Sequence, residues 1–157
     1  MRILGIDPGT SLIGWGVIDS DGKTYRAIAY DALRTPPKIP SHQRVEPVYD
    51  ALMALIKKHK PDLISVETLF FFKNAKTVMA VSEIRGVILL VAAKSHVPVS
   101  EHTPLQVKQA VSGYGKAEKH QVQTMVQLIL GLNQPPRPDD VADALALAIC
   151  GANTRRS

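Results

Sequence analysis

The chain of 157 residues carries a formal net charge of +5 at pH 7 and holds one cysteine, Cys150, which excludes a disulfide framework and suits a small core residue. Its length suits one domain, and its longest apolar run, GVILLVAA, is well short of the roughly 20 residues that cross a bilayer, so we expect no membrane partner. The opening MRILGID passes into a strand pattern without a signal peptide, which predicts a cytoplasmic protein, and the positive charge favours a polyanionic partner, with simple solubility as the alternative.

The first half of the chain predicts three strands and a helix. RILGID (2–7) is apolar on both faces, as a doubly covered central strand should be. IGWGVID (13–19) and TYRAIAYDALR (24–34) follow across a DSDGK turn, which indicates an antiparallel meander. Ser41 is expected to cap a helix that runs to about residue 60, in which Pro47 either introduces a kink or marks the true start.

The second half predicts two more strands and four helices. DLISVE (62–67) and VPVSEH (97–102) read as strands, and the helices are expected at 76–95, 103–111, 118–131 and 139–152. The sequence therefore predicts an α/β fold with a mixed five-stranded sheet, a three-strand meander plus two parallel strands, and helices on both faces. Residues 1–152 are expected to form one domain, and 153–157 a short disordered tail.

Two of the predicted strands end in a carboxylate, Asp7 after ILGI and Glu67 after LISV. Ligands of open α/β sheets bind beyond the carboxyl ends of the strands. If these two strands are neighbours, both acids lie at one edge of the sheet and mark a candidate site.

The last helix adds a carboxylate where an apolar residue is expected. Asp143 is the only polar residue between Val141 and Cys150, and it lies three positions after Asp140, on the same helical face. Burying an unpaired carboxylate costs several kcal/mol, roughly, unless a cation or hydrogen bonds compensate it. The alternative is an ordinary helix start, in which Asp139 caps and Asp140 interacts with the helix dipole; this alternative leaves Asp143 unexplained.

Four carboxylates brought together require counter-charge, because each pair at ~4 Å repels by about 4 kcal/mol at an effective dielectric constant near 20. An oxygen-only set of ligands favours Mg²⁺, with Mn²⁺ as a substitute, over zinc. Two such ions ~3.5–4 Å apart are the usual means of hydrolysing a phosphodiester. The predicted site therefore holds two ions, bound by Asp7, Glu67, Asp140 and Asp143.

Basic and aromatic residues near these acids predict contacts with nucleic acid. Lys108, Lys116 and Lys119 surround the glycine loop SGYGKA, which lets backbone and ammonium groups approach phosphates, although ordinary surface lysines are the alternative. Arg137 lies in the proline-rich connector beside the acids. The segment VETLFFFKNAK contains every phenylalanine of the chain, and its loop is expected to stack on unpaired bases; the predicted DNA contacts in it are Phe70, Phe71, Phe72, Lys73 and Asn74.

Four stretches resemble, in order and over nearly the whole chain, the signature blocks of the RuvC family of Holliday-junction resolvases. They are ILGIDPGTSLIGWGVI, ISVETLFFFKNAKT with EIRGVILLVAA, QVKQAVSGYGKAEKHQVQ, and DDVADALALAI. The resemblance implies a ribonuclease-H-like fold and a homodimer that cuts two opposing strands of a four-way DNA junction with divalent metal. It also implies the branch-migration proteins RuvA and RuvB as partners.

The same resemblance implies roles for particular residues. It places the catalytic acids at the four positions named above, Lys108 and Lys119 at the scissile phosphate, and Phe70 on a junction base. Asp139 beside Asp140 leaves the third acid ambiguous by one residue, and the three-residue step to Asp143 favours Asp140. Helix 76–95 has more apolar face than one side of a sheet requires, so we expect it at the dimer interface.

The predicted mechanism has one ion helping to generate the attacking hydroxide and the other stabilising the leaving 3′ oxygen, giving 5′-phosphate and 3′-hydroxyl ends. Three other interpretations stay open. A sugar-kinase or actin-like ATPase also places a DxGT turn between two strands, but it needs two related domains that this chain is too short to hold. A non-catalytic junction-binding module and a nuclease for RNA–DNA hybrids are the remaining two.

Overall fold

The computed structural model describes residues 1–36, 38–69 and 74–154. Its centre is a five-stranded sheet in the order β3-β2-β1-β4-β5. The strands are β1 (Arg2–Asp7), β2 (Leu12–Ser20), β3 (Tyr25–Arg34), β4 (Leu63–Glu67) and β5 (Val99–His102). The first three strands pair antiparallel, whereas β1 with β4 and β4 with β5 pair parallel. The predicted mixed sheet is confirmed.

The helices in the described ranges are α1 (Ser41–His59), α2 (Ala75–Lys94), α3 (Pro104–Ser112), α4 (Lys119–Leu130) and α5 (Asp139–Thr154). Two details of the prediction are wrong. The N-cap of α1 is Pro40 and no side chain caps this helix, so Ser41 is its first residue, and Pro47 lies inside it. The last helix continues through Asn153 and Thr154, which were assigned to the tail.

Asn153 is held in α5 by a tertiary contact, because its Oδ1 accepts a hydrogen bond from the Tyr25 hydroxyl of β3. Residues 155–157 lie outside the described ranges. No helix of the described residues combines the length and the apolar character needed to span a membrane.

Side-chain alternation along the strands separates two cores on the two faces of the sheet. In β1, Leu4 and Ile6 pack with apolar residues of α1 and α2, whereas Ile3 packs with α3, α4 and α5. In β4, Ile64 and Val66 face α1 and α2, and the Ser65 hydroxyl donates to the Leu147 carbonyl of α5 at 2.6 Å. The alternation therefore directs Asp7, the last residue of β1, and Glu67, the last residue of β4, toward α5.

Helix α5 lies almost in contact with the backbone of β1 and β2, because glycines face it there. A Cβ atom added at Gly5 would lie 1.9 Å from the Ala144 carbonyl oxygen, and one added at Gly14 would lie 2.0 Å from the Asp140 carbonyl oxygen. Glycine within a strand often marks such an approach. Helix α5, which carries the predicted site acids Asp140 and Asp143, is therefore held against β1 and β2, close to Asp7.

Local signals fix the two helices that carry the site lysines. The Thr103 hydroxyl accepts from Gln106 N and the Gln106 side chain accepts from Thr103 N, a capping box at the start of α3. Gly113, at φ +70°, ends α3 in the left-handed region. Helix α4 begins at Lys119, and the ammonium of this residue lies 3.2 Å from Asp143 Oδ2 of α5.

Candidate active site

Asp7 and Glu67 lie side by side at the carboxyl edge of the sheet. Strands β1 and β4 are parallel neighbours, and Ile6 pairs with Val66, so each acid is the next residue along its strand. Both side chains point to the face covered by α5, and both are half-buried. The structure therefore has both acids at the same edge of the sheet, as the sequence predicts for neighbouring strands.

The other two acids come from the first turns of α5. Asp140 lies with its backbone against Gly14, and Gly14 is the residue of β2 that pairs with Asp7. Its charge is close enough to contribute to the raised pKa of Asp7. Asp143, one turn later, lines the same pocket as Asp7 and Glu67.

The pocket that Asp7, Glu67 and Asp143 line has a volume of about 250 Å³ and is lined by both apolar and charged side chains. Its apolar wall comes from α3, α4 and α5 and contains Pro104, Val107, Val122, Ala146 and Leu147. Its charged lining consists of Asp7, Glu67, Asp143, Lys108 and Lys119. A site with apolar walls strengthens electrostatic interactions inside it, which suits the binding of a cation or a phosphate.

Burial and mutual repulsion disfavour the ionised acids. Burial raises the pKa of Asp7 to about 8, with further contributions from Asp143, Asp140 and Glu67. The pKa of Glu67 is raised by burial and then by Asp143, while Lys108 opposes the shift. Burial also raises the pKa of Asp143, although Lys119 opposes it.

Lys119 is the cation nearest to this cluster among the described residues. Its Nζ lies 3.2 Å from Asp143 Oδ2 and 3.7 Å from Asp139 Oδ2. Partial burial lowers the pKa of Lys119, but the acids, Asp143 first, outweigh this effect and raise it overall. One ammonium is shared between two carboxylates, and within the part of the chain that the structure describes Lys119 is the only cation that forms an ion pair with any of the four predicted site acids.

The donor set fits a hard divalent cation. The ligands it offers are carboxylate oxygens, and the pKa of Asp7 is raised by burial first and then by the neighbouring acids Asp143, Asp140 and Glu67, whose repulsion a cation would relieve. The acids are not arranged as a finished binding site, however. Within the described ranges, no three His, Cys, Asp or Glu side chains are close enough to hold one ion together. Closing the site around a cation requires small side-chain movements.

The ambiguity between Asp139 and Asp140 is reduced by the ion pairs. Asp139 Oδ1 lies 2.5 Å from Arg137 Nη1, and its other oxygen faces Lys119. The charge of Asp140 instead lies close enough to Asp7 to contribute to the raised pKa of that acid. These contacts favour Asp140 as the third acid, as its spacing from Asp143 predicts.

The remaining predicted contacts lie around the pocket or outside the described residues. Arg137 is exposed and paired with Asp139, and Lys116 is exposed on the loop before α4. Asn74 is the N-cap of α2, where its side chain accepts from Lys76 N at 3.1 Å, a structural role that explains it without DNA. Phe70, Phe71, Phe72 and Lys73 lie outside the described residues, so their predicted DNA contacts stay predictions.

Two features of the site were missed from the sequence. Asp139 was interpreted as a helix cap or as the alternative third acid, and its pairing with Lys119, which joins residues that are far apart in the chain, was not predicted. The contact between Gly14 and α5 was also missed, although the sequence carried a signal for it. Gly14 and Gly16 are two positions apart in an apolar strand, a spacing that leaves one face of the strand without side chains.

The raised pKa of Asp7 predicts how the stability of the metal-free protein depends on pH. The folded value is about 8, whereas an unfolded aspartate titrates near about 4. The folded protein binds the proton of Asp7 more tightly than the unfolded chain does. The stabilisation of the fold by this protonation is therefore complete below about pH 4 and is lost as the pH rises through the folded pKa. We expect the free energy of unfolding to fall by roughly 2 to 5 kcal/mol over this range relative to Asp7→Asn.

Urea unfolding in EDTA, from about pH 5 to about pH 9, measures this difference. The difference from Asp7→Asn isolates the part of the pH dependence that depends on Asp7, including its interaction with the charged groups that face it, which are Glu67, Asp140, Asp143 and Lys119. Parallel pH profiles for the two proteins would contradict the assignment of the raised pKa to Asp7.

Comparison with known proteins identifies the family. The family model described as "Crossover junction endodeoxyribonuclease RuvC" matches residues 3–151. The protein of that name from Desulforamulus reducens is 57% identical over 152 residues, which cover 97% of this chain and 93% of that protein. The match extends across the strands and helices that carry all four acids.

Solved structures agree with this result. The RuvC structure from Thermus thermophilus has a TM-score of 0.92 at 36% identity, covering 99% of this chain and 96% of that one. The same protein in complex with Holliday junction substrate has a TM-score of 0.91 at 33% identity, with the same coverage of 99% and 96%. The predicted ribonuclease-H-like α/β fold is confirmed, and the chain belongs to the RuvC family of crossover junction endodeoxyribonucleases.

Proposed function

We propose that this chain is a structure-selective endonuclease that resolves four-way DNA junctions by paired, symmetric nicks, in recombination and repair. The observation that carries the proposal is the convergence of Asp7, Glu67 and Asp143 with two lysines in one pocket of a RuvC-family chain. The Holliday junction complex of the Thermus thermophilus relative supports the choice of substrate. The net charge of +5 suits a DNA partner.

The four acids, Asp7, Glu67, Asp140 and Asp143, would hold the metal, proposed to be two Mg²⁺ ions, with Mn²⁺ as a substitute. Such ions supply Lewis-acid stabilisation of charge and a nucleophile at neutral pH when they are bound. The acids themselves bind and orient, and they need not accept a proton. The positions of Asp7 and Glu67 at the ends of two paired strands hold their backbones side by side, so that side-chain movement alone is needed to bring their oxygens to an ion.

The lysines act on the phosphate. Lys108 lies in the pocket with Glu67, where its positive charge partly offsets the rise in the pKa of that acid caused by burial and Asp143, and it suits a contact with the scissile phosphate. Lys119 can neutralise the charge that develops on the phosphorus oxygens, because its ammonium is exposed and held at the pocket. Hydrolysis of the P–O3′ bond, with the 3′ oxygen as the leaving group, gives 5′-phosphate and 3′-hydroxyl ends, which a ligase can seal.

Further contacts with the junction come from residues around the pocket. Lys116 and Arg137 are exposed and can bind phosphates, and Phe70 is proposed to stack on an unpaired base. Phe71, Phe72, Lys73 and Asn74 complete the proposed DNA contacts of that segment. The branch-migration proteins RuvA and RuvB are the proposed protein partners, from the family resemblance.

The proposed enzyme acts as a homodimer, since two symmetric nicks require two active sites. Helix α2 supports this proposal because it exposes large apolar side chains, with Met79 67%, Leu89 37% and Leu90 52% accessible. Leu90 also lines a groove between α1 and α2 with Tyr49 and Val87. An exposed apolar surface of this kind usually marks an interaction site.

Leu90→Glu is expected to shift the protein from dimer to monomer, because it places a charge in the proposed interface. Leu128→Glu is the matched control, since Leu128 is 67% exposed on α4 and lies outside α2. Sedimentation velocity at micromolar concentration measures both variants. A wild-type protein that is monomeric at this concentration would count against the dimer.

The proposed function is tested by incubating the protein with a synthetic four-way junction and with a linear duplex of matching sequence, each with Mg²⁺ or Mn²⁺. Symmetric nicks in the junction alone, sealable by ligase, are the expected result. Binding without nicks would support a non-catalytic junction-binding module, and preferential cutting of an RNA–DNA hybrid would support a different substrate. Equal nicking of junction and duplex would overturn the structure selectivity.

A further inference from the structure

The carboxylate of Asp139 lies between two basic side chains at the mouth of the pocket. Its Oδ1 contacts Arg137 Nη1 at 2.5 Å, and its Oδ2 lies 3.7 Å from Lys119 Nζ. The arginine thereby orients the second oxygen toward the lysine. Asp139 is itself part of the first turn of α5, so the position of its backbone is fixed by the helix.

Lys119 has two alternative partners on the same face of α5. Asp139 and Asp143 are four residues apart, one helical turn, and the ammonium of Lys119 contacts both, with Asp143 closer at 3.2 Å. Asp143 belongs to the proposed set of metal ligands, whereas Asp139 does not. A cation that binds Asp143 through Oδ2 therefore displaces Lys119 from that oxygen.

We propose that Asp139 is a positioning residue for Lys119, which it retains at the pocket when a divalent cation takes over Asp143. This inference rests on the proposed function and adds a residue to it. When the cation binds, Lys119 exchanges one carboxylate for the other within one helical turn and is not released to solvent. Asp139 thus lowers the cost of metal binding and keeps the ammonium beside the phosphate that it must neutralise.

Removing the Asp139 carboxylate without changing its size tests the inference. Asp139→Asn leaves Lys119 with Asp143 as its only partner on α5, so binding of Mn²⁺ must break an ion pair without replacement. We expect Mn²⁺ affinity, measured by calorimetry without DNA, to fall about 3- to 5-fold. At saturating Mn²⁺, we expect kcat on the junction to fall about 10-fold with little change in KM. Asp139→Glu should restore most of the Mn²⁺ affinity and most of the kcat.

A double-mutant cycle separates positioning from the loss of one negative charge near the metal. Lys119→Gln removes the competitor, so we expect it to bind Mn²⁺ more tightly than the wild type. In that background, Asp139→Asn should change Mn²⁺ affinity by less than about 2-fold, because nothing remains to be positioned. An equal loss of affinity in both backgrounds would show a long-range charge effect and overturn the inference.

Glu118→Gln is the matched control for charge. Glu118 precedes Lys119, its side chain is 79% exposed and its Oε2 lies 3.6 Å from His120 Nδ1, so its loss removes a nearby charge without removing either ion-pair partner of Lys119. It should leave Mn²⁺ affinity within about 2-fold of wild type. The Mn²⁺ cycle needs no DNA, so a wild-type protein that fails to cut junctions would refute the proposed function and still leave this test decisive. Unchanged Mn²⁺ affinity and kcat in Asp139→Asn would overturn the positioning role.

Discussion

Replacing Asp7 with Asn is expected to abolish junction cleavage while leaving junction binding intact. Burial raises the pKa of Asp7, and repulsion from Asp143, Asp140 and Glu67 raises it further. All three of the other acids are therefore close enough to interact with the charge of Asp7. Asn keeps the shape of the side chain but removes the charge that attracts a divalent cation. Since such cations supply several kcal/mol of transition-state stabilisation, we expect cleavage to fall by about 1,000-fold or more.

Binding to the junction should be equal or, at a pH where the wild-type Asp7 is ionised, slightly tighter, because the variant cannot carry this negative charge in the proposed DNA-contacting surface. The metal-free variant should also be more stable than the wild type at about pH 8, where the wild-type carboxyl ionises at a cost. A protein that gains stability while it loses activity has lost a functional group and not its fold.

Asp31→Asn is the matched control for this prediction. Asp31 is an exposed acid of β3, at the edge of the sheet, and its Oδ1 accepts from Ala32 N. The change has the same chemistry at a place remote from the pocket, so cleavage should stay at the wild-type rate. Junction nicking at saturating Mg²⁺ and a mobility shift in EDTA measure the two properties. Cleavage retained by Asp7→Asn would refute the assignment of Asp7 to the metal site.

The parts of the site that could be predicted from the sequence are those that depend on local patterns. Asp7 and Glu67 each end an apolar strand, and the parallel pairing of β1 with β4 brings them together. Asp143 interrupts an apolar helix, and burial of that helix brings it to the pocket. In each case the pattern around one residue predicts its place, because strand alternation and helical period are properties of neighbouring residues.

The parts that could not be predicted depend on pairs that are distant in the chain. Nothing in the residues around Lys119 indicates that Asp139 and Asp143 are its partners, since the contact arises from the packing of α4 on α5. The same holds for Arg85 of α2, which pairs with Glu101 of β5 at 2.6 Å. Ser41 was expected to be a cap from residue type alone, but the preceding Pro40 takes that position. Such choices are decided by tertiary geometry.

Gly14→Ala is expected to reduce both stability and cleavage, because Gly14 determines where α5 begins relative to β1. The added Cβ would lie 2.0 Å from the Asp140 carbonyl oxygen and 2.3 Å from its carbonyl carbon, and both are backbone atoms that rotamer changes cannot move. The start of α5 must shift away from the sheet. We expect a loss of about 3 kcal/mol or more in the free energy of unfolding.

The shift also changes the site, since Gly14 pairs with Asp7 and contacts Asp140 directly. Gly16→Ala is the control on the same face of the same strand, because its Cβ would meet a side-chain atom, Leu145 Cδ2, at 2.5 Å. A leucine can rotate away, so that variant should lose about 1 to 2 kcal/mol and keep most of its cleavage. Urea unfolding and junction nicking measure both variants. If Gly14→Ala were as stable and as active as Gly16→Ala, the contact between Gly14 and α5 would not be what holds Asp140 beside Asp7.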